Sequence, residues 1–267
     1  MAIHLITVVG GQVDVLAHML SYYRSLGIES FFVNLHLSDE NDPTRERVEM
    51  IARQDGCGIA STTVGEWQLV QQELYLRQRE RYPSDWFVLA DQDEFQIWPE
   101  HVGDILKDNA AWDYVGGCFI DRLTRDGCFP KVDCRPIWDQ FPLGCVLSAR
   151  ILGATPNKVV AVKGPVPLMK GQHYSHSGRA WPSRELYIPV HHFKWTRGVV
   201  ARLARRAAEL KKQGFPHWTE SARFVEYLRL NGGQINLLDK DLLIAECSPA
   251  YPYWELVKRL ALGSEGL

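Results

Sequence analysis

Long apolar runs are missing from this chain. No stretch approaches the roughly 18 residues needed to cross a bilayer, so no membrane span is expected. An excess of one charge is missing too. With 30 Lys and Arg against 32 Asp and Glu the formal net charge is −2, which excludes a general nucleic-acid binder. The start, Met1-Ala2-Ile3-His4-Leu5-Ile6-Thr7, has neither a basic n-region nor a cleavage signature, so no export signal and a cytoplasmic location are expected. Six cysteines occur (Cys57, Cys118, Cys128, Cys134, Cys145 and Cys247) but no C-x-x-C pair. That pattern speaks against a structural zinc site and for reduced thiols in a chain of this size. Gly10-Gly11 lacks the G-x-G-x-x-G spacing of a dinucleotide loop, which argues against an NAD enzyme.

What is present is an ordinary globular composition, 46% apolar and 23% charged over 267 residues. The first half alternates strand and helix signals. Ile3 to Val9 is β-rich, and Val13, Leu16, Ala17, Leu20 and Tyr23 recur at helical spacing. Ser30 to Leu37 reads as a second strand. Pro43 sits in the first turn of a second helix. Gly58 to Thr63, a helix over Glu66 to Arg81, and a strand over Trp86 to Ala90 follow. This order predicts an α/β fold: a mostly parallel, Rossmann-like sheet flanked by helices, with a variable C-terminal part. Further on, Tyr114 to Ile120 is a strand whose Gly116-Gly117 permits a bulge or close backbone approach. Residues 127–144 read as long loops, Val159 to Val162 and Val190 to Trp195 as short strands, and Thr196 to Gln213 and Thr219 to about Leu230 as helices. One domain over 1–230 is expected, with 231–267 as its C-terminal appendage.

The pattern with the most chemical content is Asp91-Gln92-Asp93-Glu94, which ends the apolar run Trp86-Phe87-Val88-Leu89-Ala90. A buried strand that stops at acidic residues delivers carboxylates to a sheet edge, where ligands of open parallel sheets bind. Two carboxylates separated by one residue can share a hard divalent cation and the phosphate it holds. A solvated acidic turn is the alternative.

Together with the N-terminal βα units, three further stretches complete a pattern: Asp91-Gln92-Asp93-Glu94-Phe95, Asp121-Arg122 to Asp126-Gly127, and His192-Phe193-Lys194. Over roughly residues 3–230 the chain resembles family-2-like glycosyltransferases, most closely the bacterial subgroup with a D-x-D-E-F motif. The resemblance implies a GT-A fold, a nucleoside-diphosphate sugar as donor, with a UDP-sugar favoured, and Mn²⁺ or Mg²⁺ as cofactor. It also implies hexose transfer to an acceptor hydroxyl, commonly with inversion. A glycan or a secondary metabolite is the expected acceptor, and residues 127–190 and the C-terminal tail, which depart from the pattern, would choose it.

On that basis Asp93 is the expected direct metal ligand, and Asp91 would touch the ribose or the metal's water shell. Glu94 could position the sugar or serve a structural ion pair. His192 is a candidate third ligand and Lys194 a candidate counter-charge to the diphosphate. His191 should point away from His192 on a strand. Asp121 is the first choice for the base that takes the acceptor proton, with Asp126 and Asp139 in reserve. Thr7 and Val9 could lend backbone groups to the nucleotide base, and Asp39 could bind base or ribose. His173 and His176 read as parts of a loop. A basic helix carries Arg197, Arg202, Arg205, Arg206, Lys211 and Lys212. It could lie on an anionic membrane, although a solvated surface helix has the same pattern. A nucleotidyltransferase and a non-catalytic sugar-binding protein are the competing functions.

Overall fold

The computed structural model describes residues 1–65, 67–107, 111–247 and 250–263, apart from the side chains of 67–69, 71 and 170. Glu66, where the sequence pattern starts the third helix, lies outside them. The chain forms two compact units. The first comprises Met1–Cys118 and Asn157–Val190, the second Phe119–Pro156 and His191–Ser264.

The first unit opens with β1 (Ile3–Val9), α1 (Leu16–Ser25), β2 (Ser30–Leu37), α2 (Thr44–Gln54), β3 (Ile59–Val64), α3 (Trp67–Arg81) and β4 (Trp86–Leu89). β5 (Glu94–Gln96), α4 (Val102–Lys107) and β6 (Tyr114–Leu123) come next. Six strands of its sheet run in the order β6-β8-β4-β1-β2-β3, where β8 is Asn157–Lys163. β1 pairs in parallel with both β2 and β4, and β2 in parallel with β3. β8 is antiparallel to β4 and to β6. The sheet is therefore mixed. Its parallel half follows the alternating βα pattern, in which each crossover helix returns the chain to the same sheet edge. Every residue of β4 is buried, as a strand covered on both faces requires. Beneath it, Ile6, Val8, Leu74, Tyr75, Phe87, Leu89, Val159 and Val162 form a continuous apolar core.

Two glycines in this unit have defined roles. A Cβ on Gly10 would collide with the His36 carbonyl oxygen, so β1 and β2 approach closely where β1 ends. A Cβ on Gly117 would collide with the Ile188 carbonyl oxygen. The β6–β8 register also shifts between Val115 and Gly116. Bulge and close approach are both present at the Gly116-Gly117 step.

The second unit contains α5 (Ile137–Gln140), β7 (Leu143–Cys145) and a π-helical turn at Ser148–Leu152. It continues with α6 (Val199–Lys212), α7 (Trp218–Leu230), β10 (Ala245–Glu246) and α8 (Trp254–Leu262). β9 (Ile188–His192) ends in it. β6 runs on to Leu123 rather than stopping at Ile120, because β7 pairs with Asp121–Leu123, and β10 pairs with β7 in turn. Residues 127–144 thus contain a helical turn and a strand as well as loops. Leu123, Cys145, Leu147, Leu152, Trp195, Val199, Leu203, Phe224 and Leu228 build this unit's core. Val199 and Leu203 of the basic helix are spent in that core, so its outward face is the charged one. Among the described residues no helix is long and apolar enough to cross a membrane.

Candidate functional site

The acidic turn follows β4 at the carboxyl end of the parallel strands. The Ala90 amide still donates to the Ile6 carbonyl, so the turn begins beside the end of β1. Gln92 fixes it there, its Nε2 donating to the carbonyls of Gly10 (2.9 Å) and Gln12 (2.7 Å). The Glu94 amide donates to the Asp91 carbonyl, and the Asp91 amide donates to Glu94 Oε2 at 3.0 Å. The turn is closed by its own side chains. β5 then holds it from behind. Tyr23 donates to the Glu94 carbonyl, and Gln96 Nε2 donates to the Leu89 carbonyl.

The carboxylates of this turn are in different states. Glu94 is buried, with a side chain only 3% exposed, and accepts from Lys158 Nζ at 3.0 Å. Asp91, 35% exposed, lies 3.6 Å from the same ammonium and accepts from the Tyr75 hydroxyl. Asp93 is half-buried on the turn between them. Burial by itself would lower the Lys158 pKa, but the charges of Asp91 and Glu94 outweigh it and the net shift is upward. Burial raises the Tyr75 phenol well above its ordinary value, and the Asp91 charge adds to that. Tyr75 is therefore a fixed donor to Asp91. Glu94 has the structural ion-pair role open to it, with a lysine as partner.

Carboxylate oxygens at a strand end are the kind of ligand a hard divalent cation takes. Among the described residues no group of three or more His, Cys, Asp and Glu side chains is arranged to hold a metal ion. A cation on Asp91 and Asp93 would take its remaining ligands from phosphate oxygens and water, as Mg²⁺ sites commonly do.

The other expected nucleotide contacts in this unit lie at successive points of the sheet. Thr7 and Val9 are buried in β1 and pair with Val33 and Leu35. The Thr7 carbonyl also accepts from Asn34 Nδ2 at 3.3 Å. Asp39 is exposed in the loop after β2 and caps the Asn41 amide. The His173 ring is bonded through Nδ1 to the Asn157 carbonyl at 2.6 Å, and His176 is exposed.

Asp121, His192 and Lys194 belong to the second unit. Asp121 is 1% exposed and lies within β6. Its Oδ2 accepts from the Ser148 amide at 2.6 Å. Its Oδ1 accepts from the Ser148 hydroxyl (2.7 Å) and Trp195 Nε1 (2.8 Å), with His192 Nδ1 at 3.3 Å. Burial would raise the Asp121 pKa, but the His192 hydrogen bond and charge and the Ser148 donors bring the net shift below the ordinary carboxylate value. His192 also lies against the Phe119 ring, with centroids 5.1 Å apart. A buried carboxylate on Nδ1 sets the tautomer of an imidazole and leaves Nε2 as its chemically active nitrogen. His191 is engaged elsewhere, with Arg122, Cys247 and Trp138. Lys194 stands over the Trp195 ring at 5.4 Å.

Sequence reasoning missed Lys158, Tyr75, Ser148 and Trp195 as partners of the acidic residues. A lysine inside Asn157-Lys158-Val159-Val160-Ala161-Val162 is a break in an apolar strand, and that break was the available signal.

No protein-family model matches this sequence, and no curated protein matches it. Solved structures to which it is similar include S. aureus TarS, with a TM-score of 0.39 and 10% identity over 85% of this chain and 43% of that one. A TarS fragment, residues 1–349, gives 0.36 and 12% over 87% and 74%. A putative glucose-1-phosphate thymidylyltransferase from Bacillus anthracis gives 0.32 and 9% over 97% and 95%. This chain thus spans under half the length of the first of these TarS chains. At such scores the chemistry has to be read from the chain's own residues.

Proposed function

We propose that this protein is a metal-dependent glycosyltransferase that moves a hexose from a nucleoside-diphosphate sugar to an acceptor hydroxyl. The observation that carries the reading is the braced acidic turn at the carboxyl end of β4, next to the end of β1. Open α/β sheets bind ligands at that edge, and Asp91 and Asp93 supply oxygen ligands there. When bound, Mn²⁺ or Mg²⁺ would stabilise the charge that develops on the departing diphosphate. Asp93 is the direct ligand in this reading. Asp91, already held by Tyr75 and Lys158, orients toward ribose or the cation's water. Glu94 and Lys158 act as positioning residues that keep the turn in place.

UDP-hexoses incubated with the protein and Mn²⁺ test the reading. Slow UDP release without acceptor, abolished in Asp93→Ala, is the expected result. Pyrophosphate release from a nucleoside triphosphate and a sugar phosphate would indicate nucleotidyl transfer instead.

A further inference from the structure

A second place in the first unit is built for a ligand and is not used by the acidic turn. Between α3 and the loop after β8 lies a cavity of about 370 Å³, within the size range of small-molecule sites. Its apolar wall includes Leu76, Pro167 and Leu168, and its polar wall Tyr75, Arg79 and Gln172.

Two of these polar groups are unusual. Arg79 is 2% exposed, and its guanidinium donates to two backbone carbonyls, Tyr75 (2.8 Å, from Nε) and Val166 (2.8 Å, from NH1). A guanidinium carries five N–H donors, and among the described residues none of the others has an acceptor. Among the described residues no carboxylate forms an ion pair with it. Glu80, also on the cavity rim, acts on it only through its charge. Burial pushes the Arg79 pKa down to about 10, so the cation is held in the protein at a cost.

Gln172 is 3% exposed, and apart from a contact with the Tyr75 hydroxyl its side-chain amide completes no hydrogen bond among the described residues. That side-chain contact works against the upward shift that burial and Asp91 impose on the Tyr75 phenol. The Gln172 backbone has φ +59°, the left-handed region that non-glycine residues enter at a cost and that clusters at ligand sites. A buried cation short of acceptors and a buried amide with only the Tyr75 hydroxyl beside it face one partly apolar space. Each would be satisfied by the same occupant.

We infer that this cavity binds a small oxyanion on a compact, partly apolar body, with Arg79 gripping the phosphate or carboxylate and Gln172 bonding to its polar edge. Planar guanidinium forks match both oxyanions bidentately. Tyr75 forms one wall and donates to Asp91, so the occupant sits one hydrogen bond from the acidic turn. The cavity itself is inferred independently of the glycosyltransferase reading.

Isothermal titration with phenyl phosphate, benzoate and inorganic phosphate, with no nucleotide or metal present, tests it. The wild-type protein should bind phenyl phosphate or benzoate in the millimolar range or tighter, and the preferred probe identifies the oxyanion. Arg79→Gln should weaken binding by roughly tenfold or more. Leu168→Trp, which fills the space from the loop and leaves Arg79 in place, should abolish binding of both aromatic probes and decides the matter if the Arg79 variant does not fold. No binding of any probe by the wild-type protein, or wild-type affinity in Leu168→Trp, would overturn the inference. Either failure concerns this cavity alone and leaves the reading of Asp93 untouched.

Discussion

Replacing Lys158 by Met tests whether the acidic turn is braced from below. The lysine side chain is 2% exposed, with Glu94 at 3.0 Å and Asp91 at 3.6 Å. At an effective dielectric constant of about 20, two charges 3 Å apart attract by about 5 to 6 kcal/mol before desolvation is counted. Removing one member of a buried pair costs about 3 to 5 kcal/mol, because the other charge stays buried without compensation. Most of that falls on Glu94, since Asp91 is partly solvated and retains Tyr75. With an m-value of about 3 kcal/mol per M, the urea midpoint at pH 7.5 should drop by roughly 1 to 1.7 M. Because the Lys158 pKa is raised in the fold, its contribution is complete below the usual lysine range and is lost only as pH rises through the higher folded value. The difference between Lys158→Met and wild type should therefore be steady from pH 6 to 9. The double variant Lys158→Met/Glu94→Gln removes both charges and keeps an acceptor for the Asp91 amide, so it should recover most of the loss. Equal midpoints for wild type and Lys158→Met, or a double variant no more stable than the single, would refute the reasoning.

Burial first, and the Arg122 charge second, hold the His191 pKa well below its ordinary value. The unfolded chain then binds a proton that the folded one does not, so stability is present above about pH 6.5 and falls at lower pH by up to about 1.4 kcal/mol per unit. Urea titrations at pH 7 and pH 5 should show this component in wild type and not in His191→Gln. Gly117→Ala puts a methyl group into the Ile188 carbonyl and should cost about 3 kcal/mol, read as a melting temperature lower by roughly 6 to 12 °C. Gly103→Ala, in α4 with ordinary van der Waals room, should leave it unchanged or raise it.

The parallel half of the fold was legible because each strand from Ile3 to Ala90 is a β-rich run, the first two helices carry a 3.6-residue apolar repeat, and Gly or Pro separates the elements. The acidic turn was legible for the same reason: its carboxylates interrupt a fully apolar strand. The rest fails where local pattern stops deciding. β5, β7 and β10 have two or three residues each, too few for any periodicity. Whether β8 pairs parallel or antiparallel is set by tertiary packing. The end of β6 was placed before Asp121 because an acidic residue after an apolar run reads as a strand end, whereas β7 carries the ladder through it. Lys158 and Ser148 act through partners 64 and 27 residues away, and sequence spacing carries no trace of such contacts.

Calorimetric titration of UDP into the protein with and without Mn²⁺ bears on the central claim most directly. Binding that needs the metal, and that weakens at least tenfold in Asp93→Ala while the fold persists, is the predicted result. UDP binding that ignores Mn²⁺, or that is as tight in Asp93→Ala as in wild type, would contradict it.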